Sequence, residues 1–332
     1  MKISIDRRTV IAAVAGLAAT VAFGAGAVAQ QKVLLRLSSP ASATDQRALG
    51  LEKYFGPAVA DFATFQPHWN ASLFKQGTEL EAIARGNLEM SIASAQELST
   101  IIPAWSIFTA GYLLRDAEHQ KKVFSSGVMD DLKKQTEDKL GVKLLSVMYL
   151  GKRHVNLRTD KEVKTPDDLA GVKLRMPGSE AWLFLGKALG ANPLPLAFTE
   201  VYTALQTGAI DGQDNPLPTD KDAKFYEVTK QIVLTAHLVD QNYLTISKKV
   251  WDGLTPAQQA TVQKAADEAC EAARRAQLAL EAELEAFFKE KGLKVYAPDI
   301  DAFRKKVQAE YLASKFAKDW PAGLVDKINA IK

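Results

Sequence analysis

Short apolar runs alternate with helical patterns along most of the chain, and this alternation predicts an α/β fold. The strand-like runs are bounded by turn-forming residues, whereas the helical stretches carry apolar residues at three- and four-residue spacing. Thr199 is expected to cap the last helix of the central region, and Gly208 is expected to end it. The predicted strands are 33–38, 65–72, 88–93, 172–176 and 194–198, and the predicted helices are 45–60, 78–85, 180–189 and 199–207.

Arg175 lies at the end of the apolar run 172–176, just before a Pro-Gly breaker. Ligands of open α/β sheets bind beyond the carboxyl ends of the strands. The chain later returns through 210–212 toward the same edge, which would place Asn215 beside Arg175. A planar guanidinium holds a carboxylate through two parallel hydrogen bonds, and an amide can donate another. This region therefore predicts a site that receives a carboxylate.

Two similar lobes are suggested by a repeated pattern of glycine, spacer, apolar residue and acid at 86–89 and 208–211. In both places the pattern follows a predicted helix and precedes a strand. Short apolar runs near 149–153 and 238–243 are predicted to carry the chain from one lobe to the other and back. Two such crossings form a hinge, which would allow the lobes to close around a ligand.

A single long helix is predicted between Thr255 and Gly292. Thr255 and Gln258 form a capping box, Pro256 takes the first helical position, and Gly292 supplies the stop. The helix would contain about 36 residues and be roughly 54 Å long. A coiled-coil arm is the competing interpretation, but the many alanines make a poor seam. A helix of this length is expected to lie across both lobes.

Residues 1–29 have the features of a cleaved export signal. Lys2 and the Arg7-Arg8 pair provide a basic start, an Ala-rich apolar run covers 10–28, and small residues at 27–29 fit a cleavage site. Both the general and the twin-arginine export routes are compatible with this start. The protein is therefore expected in the periplasm, and removal of the signal would lower its formal charge from +3 to about +1.

Composition and motifs argue against several function classes. The nearly balanced charge, without a dense basic stripe, gives no support for a nucleic-acid partner. Cys270 is the single cysteine and lies among alanines within the long helix, so we expect it to be a packing residue. The sequence lacks a nucleophile elbow, a Walker loop and a dinucleotide fingerprint. No metal or cofactor is predicted, because the histidines occur singly at positions 68, 119, 154 and 237.

The central segment resembles the solute-binding subunits of tripartite ATP-independent periplasmic (TRAP) transporters. The resemblance rests on KLR at 173–175, LGANP at 189–193 and FTEVYTALQTGAIDGQDNP at 198–216, and it extends over nearly all of the mature chain. It implies a two-lobed, type II periplasmic binding protein that captures an organic acid and delivers it to a membrane permease. The expected first lobe comprises 30–150 and 239–278, and the expected second lobe comprises 151–238 and 279–332.

The resemblance also implies which side chains contact the ligand. Arg175 would pair with the carboxylate, and Arg153 and Asn215 would complete its surroundings. One branch of the family holds a metal partly through a Glu-Trp pair where this chain has Asp214-Asn215, which again predicts no metal. The further expected contacts are Phe198, Gln76, Ser94, Ser39 and Trp182, with Trp105 as a second candidate for an apolar wall.

The expected ligand is a compact, partly apolar acid. Relatives that bind sialic acid carry an acidic residue where this chain has Ser94. This difference does not favour a large polyhydroxylated sugar acid as the ligand. Two alternatives share much of the same pattern. One is a receptor for an ATP-driven importer or a sensor kinase, and the other is a secreted enzyme that acts on carboxylic acids.

Overall fold

The computed structural model describes residues 32–332, and the expected signal at 1–29 lies outside this range. No helix within 32–332 has the combination of length and apolar character that a membrane crossing requires. The strands of this range are β1 (Val33–Ser38), β2 (Ala63–His68), β3 (Met90–Ser94), β4 (Val142–Leu157), β5 (Lys173–Met176), β6 (Asn192–Pro195), β7 (Gly212–Pro216), β8 (Gln231–Ser247) and β9 (Lys294–Tyr296). The helices are α1 (Gln46–Gly50), α2 (Gly56–Val59), α3 (Glu79–Ala84), α4 (Ala95–Leu98), α5 (Ala117–Ser125), α6 (Asp130–Leu140), α7 (Glu180–Ala188), α8 (Val201–Thr207), α9 (Leu217–Asp222), α10 (Lys248–Gly253), α11 (Pro256–Glu290), α12 (Ile300–Ala313), α13 (Phe316–Asp319) and α14 (Leu324–Ala330).

Two long antiparallel strands, β4 and β8, form the centre of the sheet and join two α/β lobes. The path across the described sheet is β2-β1-β3-β8-β4-β7-β5-β6, and β9 pairs with β8. Strand β3 pairs with the C-terminal half of β8, whereas β7 pairs with the C-terminal half of β4. Because β4 and β8 run in opposite directions, these halves lie at opposite ends of the pair. The two predicted crossings are therefore parts of β4 and β8.

The local predictions are accurate for β1 and α7, but the position of β6 along the chain was predicted wrongly. The strand covers Asn192–Pro195 instead of 194–198, and Phe198–Glu200 forms a 3₁₀ turn. Prolines are tolerated in β6 because it is an edge strand that pairs only with β5. Helix α8 consequently begins after Glu200, and Thr199 does not cap it. Gly208 ends the helix in the left-handed conformation, as predicted.

Helix α11 confirms the prediction of a long helix that spans both lobes. It begins with Pro256 after a capping box between Thr255 and Gln258. Its first half packs Ala269 and neighbouring residues into the core beneath β1. Its second half places Leu284 and Phe288 in a separate core that includes residues of the second lobe. One helix therefore contributes to the hydrophobic cores of both lobes.

The same helix is hydrogen-bonded to the point where β4 crosses between the lobes. Glu281 accepts hydrogen bonds from the Tyr149 hydroxyl and from the Lys152 backbone, each at 2.7 Å. Gly151 lies between these donors, has φ of +130°, and adjoins a bulge in the pairing of β4 with β8. A side chain at this position would meet both Glu281 and Pro216. The crossing thus depends on glycine for its backbone conformation and for space.

The C-terminal helices contact segments that the sequence assigns to the first lobe and segments that it assigns to the second. Helix α12 packs against α7, whereas the Trp320 indole donates to Ser106 at 3.0 Å. The ring of His119 hydrogen-bonds to the Ile328 carbonyl at 3.0 Å. The sequence assigns Ser106 and His119 to the first lobe and 279–332 to the second. The exact lobe boundaries stay a prediction.

Replacing Gly151 with alanine is expected to destabilise the fold. A Cβ atom there would lie 2.5 Å from Pro216 Cβ and 2.6 Å from Glu281 Oε1, in a backbone conformation that disfavours side chains. We expect Gly151→Ala to lower the free energy of unfolding by about 2–4 kcal/mol. Urea denaturation would measure the change. Gly253→Ala is the control, since nothing lies within 4 Å of its added Cβ, and equal stability of the two variants would contradict this account.

Candidate functional site

A cavity lies between the lobes, beside the crossings of β4 and β8. It is bordered by the carboxyl ends of β1, β3 and β5, where an open α/β sheet places its ligand sites. The sequence-predicted contact residues come together here, although they are spread from position 39 to position 215. The eight that line the cavity are Ser39, Gln76, Ser94, Arg153, Arg175, Trp182, Phe198 and Asn215.

Arg175 presents an unneutralised guanidinium to this cavity. Its side chain is 1% exposed, and its Nε donates to the Leu196 carbonyl at 2.8 Å. Neither terminal nitrogen has an acceptor within residues 32–332, and Nη2 is fully buried. Burial, followed by the charge of Arg153, lowers the pKa of Arg175 to about 9. The guanidinium is therefore fixed by one bond while its fork stays available for an anion.

Arg153 also lines the cavity, but the protein neutralises its charge. Its Nε lies 2.7 Å from an Asp214 oxygen, and its Nη1 lies 2.7 Å from an Asp240 oxygen. The guanidinium also stacks over the ring of Trp182 at 4.5 Å. Although burial alone would lower the pKa of Arg153, the two carboxylates raise it. Ligand contact by Arg153 stays a prediction. Its two ion pairs also hold neighbouring strands together.

A buried hydrogen-bond chain continues from Arg153 into the second lobe. Asp214 accepts from Arg153 and lies 3.0 Å from His237 Nε2, and the other ring nitrogen of His237 meets the Thr235 hydroxyl at 2.8 Å. Burial would raise the pKa of Asp214, but Arg153 and His237 hold it well below its usual range. Asp214 is therefore an anion at neutral pH, and His237 belongs to the network that holds it.

Asn215 is oriented by a second chain of polar side chains. Strand β7 points Gln213 and Asn215 to the same face, and the Asn215 amide donates to the Gln213 side-chain oxygen. The Gln213 amide in turn donates to Asp220 at 2.8 Å and to Asn156 at 3.1 Å. Burial raises the pKa of Asp220 well above its usual value. This chain fixes the Asn215 amide and leaves it one further N–H to donate.

The two predicted serines line the cavity but also have local roles. The Ser39 hydroxyl accepts from the Ala41 backbone at 3.2 Å. Ser94 is the N-cap of α4, where its hydroxyl accepts from the Glu97 backbone at 3.1 Å. Both side chains are therefore held in place by turns, and ligand contact by either serine stays a prediction.

Hydrogen bonds connect the two lobes across the cavity. The Gln76 side-chain oxygen accepts from the Phe198 backbone at 2.9 Å. The Ser42 hydroxyl donates to Asp222 at 2.5 Å, and the Thr44 hydroxyl donates to the other oxygen of the same carboxylate. Gln76, Ser42 and Thr44 belong to loops that follow β1 and β2, whereas Phe198 and Asp222 belong to the opposite lobe. Because these contacts join side chains of opposite lobes, separation of the lobes would break them.

The two tryptophans occupy different environments. Trp182 lines the cavity, and its ring also stacks on the Arg153 guanidinium. Trp105 is fully buried in the core, where its indole donates to Thr136 at 2.9 Å and packs against Tyr243. The aromatic wall of the cavity therefore includes Trp182 and Phe198, and Trp105 has a packing role.

Four charged or amide side chains of the cavity were not identified from the sequence. Arg47 pairs with Asp45 at 2.7 Å and donates to Asn242 at 2.6 Å. Asp240 and Asn242 belong to the crossing at 238–243, where a polar Asp-Gln-Asn run interrupts an apolar strand, and that interruption was a usable signal. Arg47, which lies in α1, had no comparable signal. The four residues are Arg47, Glu97, Asp240 and Asn242.

Glu97 and Glu79 form a pair of neighbouring carboxyl groups in the first lobe. Burial and the proximity of Glu97 raise the pKa of Glu79 to about 8, so Glu79 holds the proton at neutral pH. Burial also raises the pKa of Glu97, but hydrogen bonds from Ser94 and the charge of Arg47 oppose this effect. Of the two carboxyl groups, Glu97 is the one that lines the cavity.

Metal binding has no structural support in the described part of the chain. Within residues 32–332, no three histidine, cysteine, aspartate or glutamate side chains come together in an arrangement suited to a metal ion. The charged groups of the cavity pair with one another instead. The absence of a metal stays a prediction from the sequence.

Comparison with known proteins places the chain among solute-binding proteins. The family model described as "Bacterial extracellular solute-binding protein, family 7" matches residues 60–319. The sialic acid-binding periplasmic protein SiaP of Vibrio cholerae is 32% identical over 262 residues, which cover 79% of this chain and 80% of SiaP. The 2,3-diketo-L-gulonate-binding periplasmic protein YiaO of Escherichia coli is 30% identical over 325 residues, which cover 96% of this chain and 95% of YiaO.

Solved structures give the same result for the fold. A TRAP periplasmic solute-binding protein from Roseobacter denitrificans, with bound 3-deoxy-D-manno-oct-2-ulosonic acid, has a TM-score of 0.90 and 63% identity. The match covers 91% of this chain and all of that one. A Haemophilus influenzae protein of the same type, with bound L-gulonate, has a TM-score of 0.84 and 25% identity, and covers 91% of this chain and all of that one.

Removing the buried carboxylate of Asp214 is expected to destabilise the protein strongly. Asp214→Asn would leave Arg153 buried with a single anionic partner, at a cost of about 3–5 kcal/mol in urea denaturation at neutral pH. Because the folded-state pKa of Asp214 is lowered, its stabilising contribution is present above the ordinary aspartate pKa of about 4. This contribution is lost as the pH falls further, so the two proteins should converge in acid.

Asp160→Asn is the control for this prediction, since Asp160 pairs with Lys230 at the surface. It should leave the unfolding midpoint unchanged within error. Equal effects of the two substitutions would mean that the buried network contributes no more than a surface ion pair.

Proposed function

Because the chain belongs to family 7 of the bacterial extracellular solute-binding proteins, the receptors of TRAP transporters, we propose that its cavity binds the carboxylate of a hydroxylated sugar acid through Arg175. Membership of this family supports function as a solute receptor. It also favours a TRAP transporter over an ATP-driven importer as the membrane partner. The unneutralised guanidinium of Arg175 supports the proposed binding site most directly. The amide of Asn215 would donate to the same carboxylate.

The polar character of the cavity supports a sugar acid as ligand. This chain has a serine at position 94, but Glu97, three residues later, provides an acidic side chain that lines the same cavity. Arg47, Asp240 and Asn242 add further hydrogen-bonding groups to that side. We therefore replace the compact, partly apolar acid expected from Ser94 with a polyhydroxylated monocarboxylate. The 3-deoxy-D-manno-oct-2-ulosonic acid held by the Roseobacter denitrificans protein is the first candidate.

The proposed mechanism is binding followed by closure. The carboxylate would meet Arg175 and Asn215 on the second lobe, and the hydroxyl groups would meet side chains of the first lobe as the lobes close. Ligand favours closure only through the contacts that it gains in the closed form. We propose that the closed protein is recognised by integral-membrane permease subunits in the periplasm, after export directed by residues 1–29. The ligand would be released chemically unchanged.

Arg175→Ala is expected to abolish tight binding without unfolding the protein. A carboxylate buried without its cationic partner is heavily penalised, so the affinity for 3-deoxy-D-manno-oct-2-ulosonic acid should fall by about 3 kcal/mol or more. Isothermal titration calorimetry would measure the loss, and thermal denaturation would confirm folding. Arg85→Ala removes a surface arginine with 69% of its side chain exposed and should bind normally. Undiminished binding by Arg175→Ala would remove the assignment.

Asp222→Ala is expected to weaken binding although Asp222 does not line the central cavity. The substitution removes both hydroxyl contacts across the lobes and thus destabilises the closed form. Apparent affinity depends on the population of the binding-competent form, and we expect a decrease of about 3- to 20-fold. Stopped-flow measurements should assign most of it to faster dissociation. Asp326→Ala, in α14, is the control, and an unchanged dissociation rate in Asp222→Ala would refute the contribution of this contact.

A further inference from the structure

We propose that Glu97 determines the charge selectivity of the receptor, by accepting hydrogen bonds from ligand hydroxyl groups and excluding ligands that carry a second carboxylate. The inference rests on the proposed function, because it assumes that one carboxylate is held by Arg175. In addition, the first-lobe side of the cavity, which includes Glu97, would select ligands by charge as well as by shape. Three features of the cavity lead to this proposal: the fixed position of Glu97, the balance of charges, and the polar groups around it.

The Glu97 side chain is held in place by the start of α4. Its Oε2 accepts from the Ser94 backbone at 2.8 Å, which completes the capping box. Its Oε1 has no donor among residues 32–332, and the residue lines the cavity that Arg175 also lines. One oxygen is thus engaged by the protein, whereas the other accepts no hydrogen bond from a described residue. A carboxylate fixed in this way cannot move away from an approaching anion without giving up the cap.

Of the three arginines that line the cavity in the described chain, one is left without a carboxylate partner. Arg47 is neutralised by Asp45, and Arg153 is neutralised by Asp214 and Asp240. Arg175 has no carboxylate partner in the described chain. Since a monocarboxylate would already neutralise Arg175, a second carboxylate would be buried without a cation. Such a burial is strongly unfavourable, and the negative charge of Glu97 would increase the cost.

The same arrangement favours hydroxyl groups. A hydroxyl can donate to the free oxygen of Glu97, and hydrogen bonds to an ionised acceptor are about twice as strong as neutral ones. Arg47 is oriented toward this wall through Asn242, and Gln76 borders it as well. A polyhydroxylated tail therefore finds both an anionic acceptor and donors there. A carboxylate in the same position would find the donors but would be repelled by Glu97.

Glu97→Gln separates charge from shape. Glutamine has nearly the same size, and its side-chain oxygen can still accept from the Ser94 backbone, so the capping box is retained. Calorimetry would compare wild-type and variant proteins with 3-deoxy-D-manno-oct-2-ulosonic acid. It would also use galactonate and galactarate, which differ only by a terminal hydroxymethyl group and a terminal carboxylate. Thermal denaturation would show that the variant is folded.

We expect the wild-type protein to prefer galactonate to galactarate by at least 100-fold. Glu97→Gln should reduce this preference at least tenfold, chiefly through tighter binding of galactarate, and should weaken the octulosonic acid at least tenfold. Glu81→Gln, which changes an exposed carboxylate of the same lobe, should alter neither value. An unchanged preference in Glu97→Gln, equal binding of both acids by the wild-type protein, or unchanged affinity of the variant for the octulosonic acid would overturn the proposal.

Arg175→Ala distinguishes a failure of this inference from a failure of the proposed function. If that variant loses affinity for every acid while Glu97→Gln keeps the wild-type preference, the carboxylate site is correct and selectivity by Glu97 is not. If Arg175→Ala still binds the octulosonic acid, the proposed function itself fails, whatever the behaviour of Glu97→Gln.

Discussion

The guanidinium of Arg175 is positioned by the fold but is not neutralised by it. Its bond to the Leu196 carbonyl sets the plane of the group, and no carboxylate of the described chain meets its terminal nitrogens. Burying an unpaired charge costs free energy, which the rest of the fold must offset. Binding of an anion removes part of that cost. Ligand affinity and the stability of the protein are therefore linked through this one charge.

The other two arginines of the cavity show how the protein limits this cost to a single position. Arg153 is paired with Asp214 and Asp240, and Arg47 is paired with Asp45. Buried ion pairs contribute little net stability, but breaking one is expensive, so their geometry is strongly maintained. These pairs give the cavity rigid walls of known charge. Among the cavity-lining arginines of the described chain, Arg175 is the one that no carboxylate pairs with.

The fold was largely predictable because its strongest signals are local. The strand at 33–38 and the helix that begins at Pro256 follow from periodicity and capping alone. Arg175 was identifiable because it lies near the end of a strand that precedes a breaker. The partners of Arg153 were not, because Asp214 and Asp240 lie 61 and 87 residues away in the sequence.

Glu97 shows a different limit of prediction from sequence. Its spacing from Ser94 fits a capping box, and that local role fully explains its presence at the start of a helix. Nothing in the pattern indicates that the residue also lines the cavity. Residues that line the cavity could therefore be selected from sequence, but the pairing of their charges depends on tertiary contacts.

The charge network and the hinge are parts of one region of the molecule. The pairing of β4 with β8 shifts register between Tyr149 and Gly151 and again between Arg153 and Val155. Arg153 therefore lies between two irregular points of the crossing, where a change in backbone angle disturbs the fewest ladder hydrogen bonds. Its carboxylate partners come from β7 and β8, so the network holds together the strands on both sides of β4. The irregular points of the crossing and the buried charge network therefore lie in the same short segment of β4.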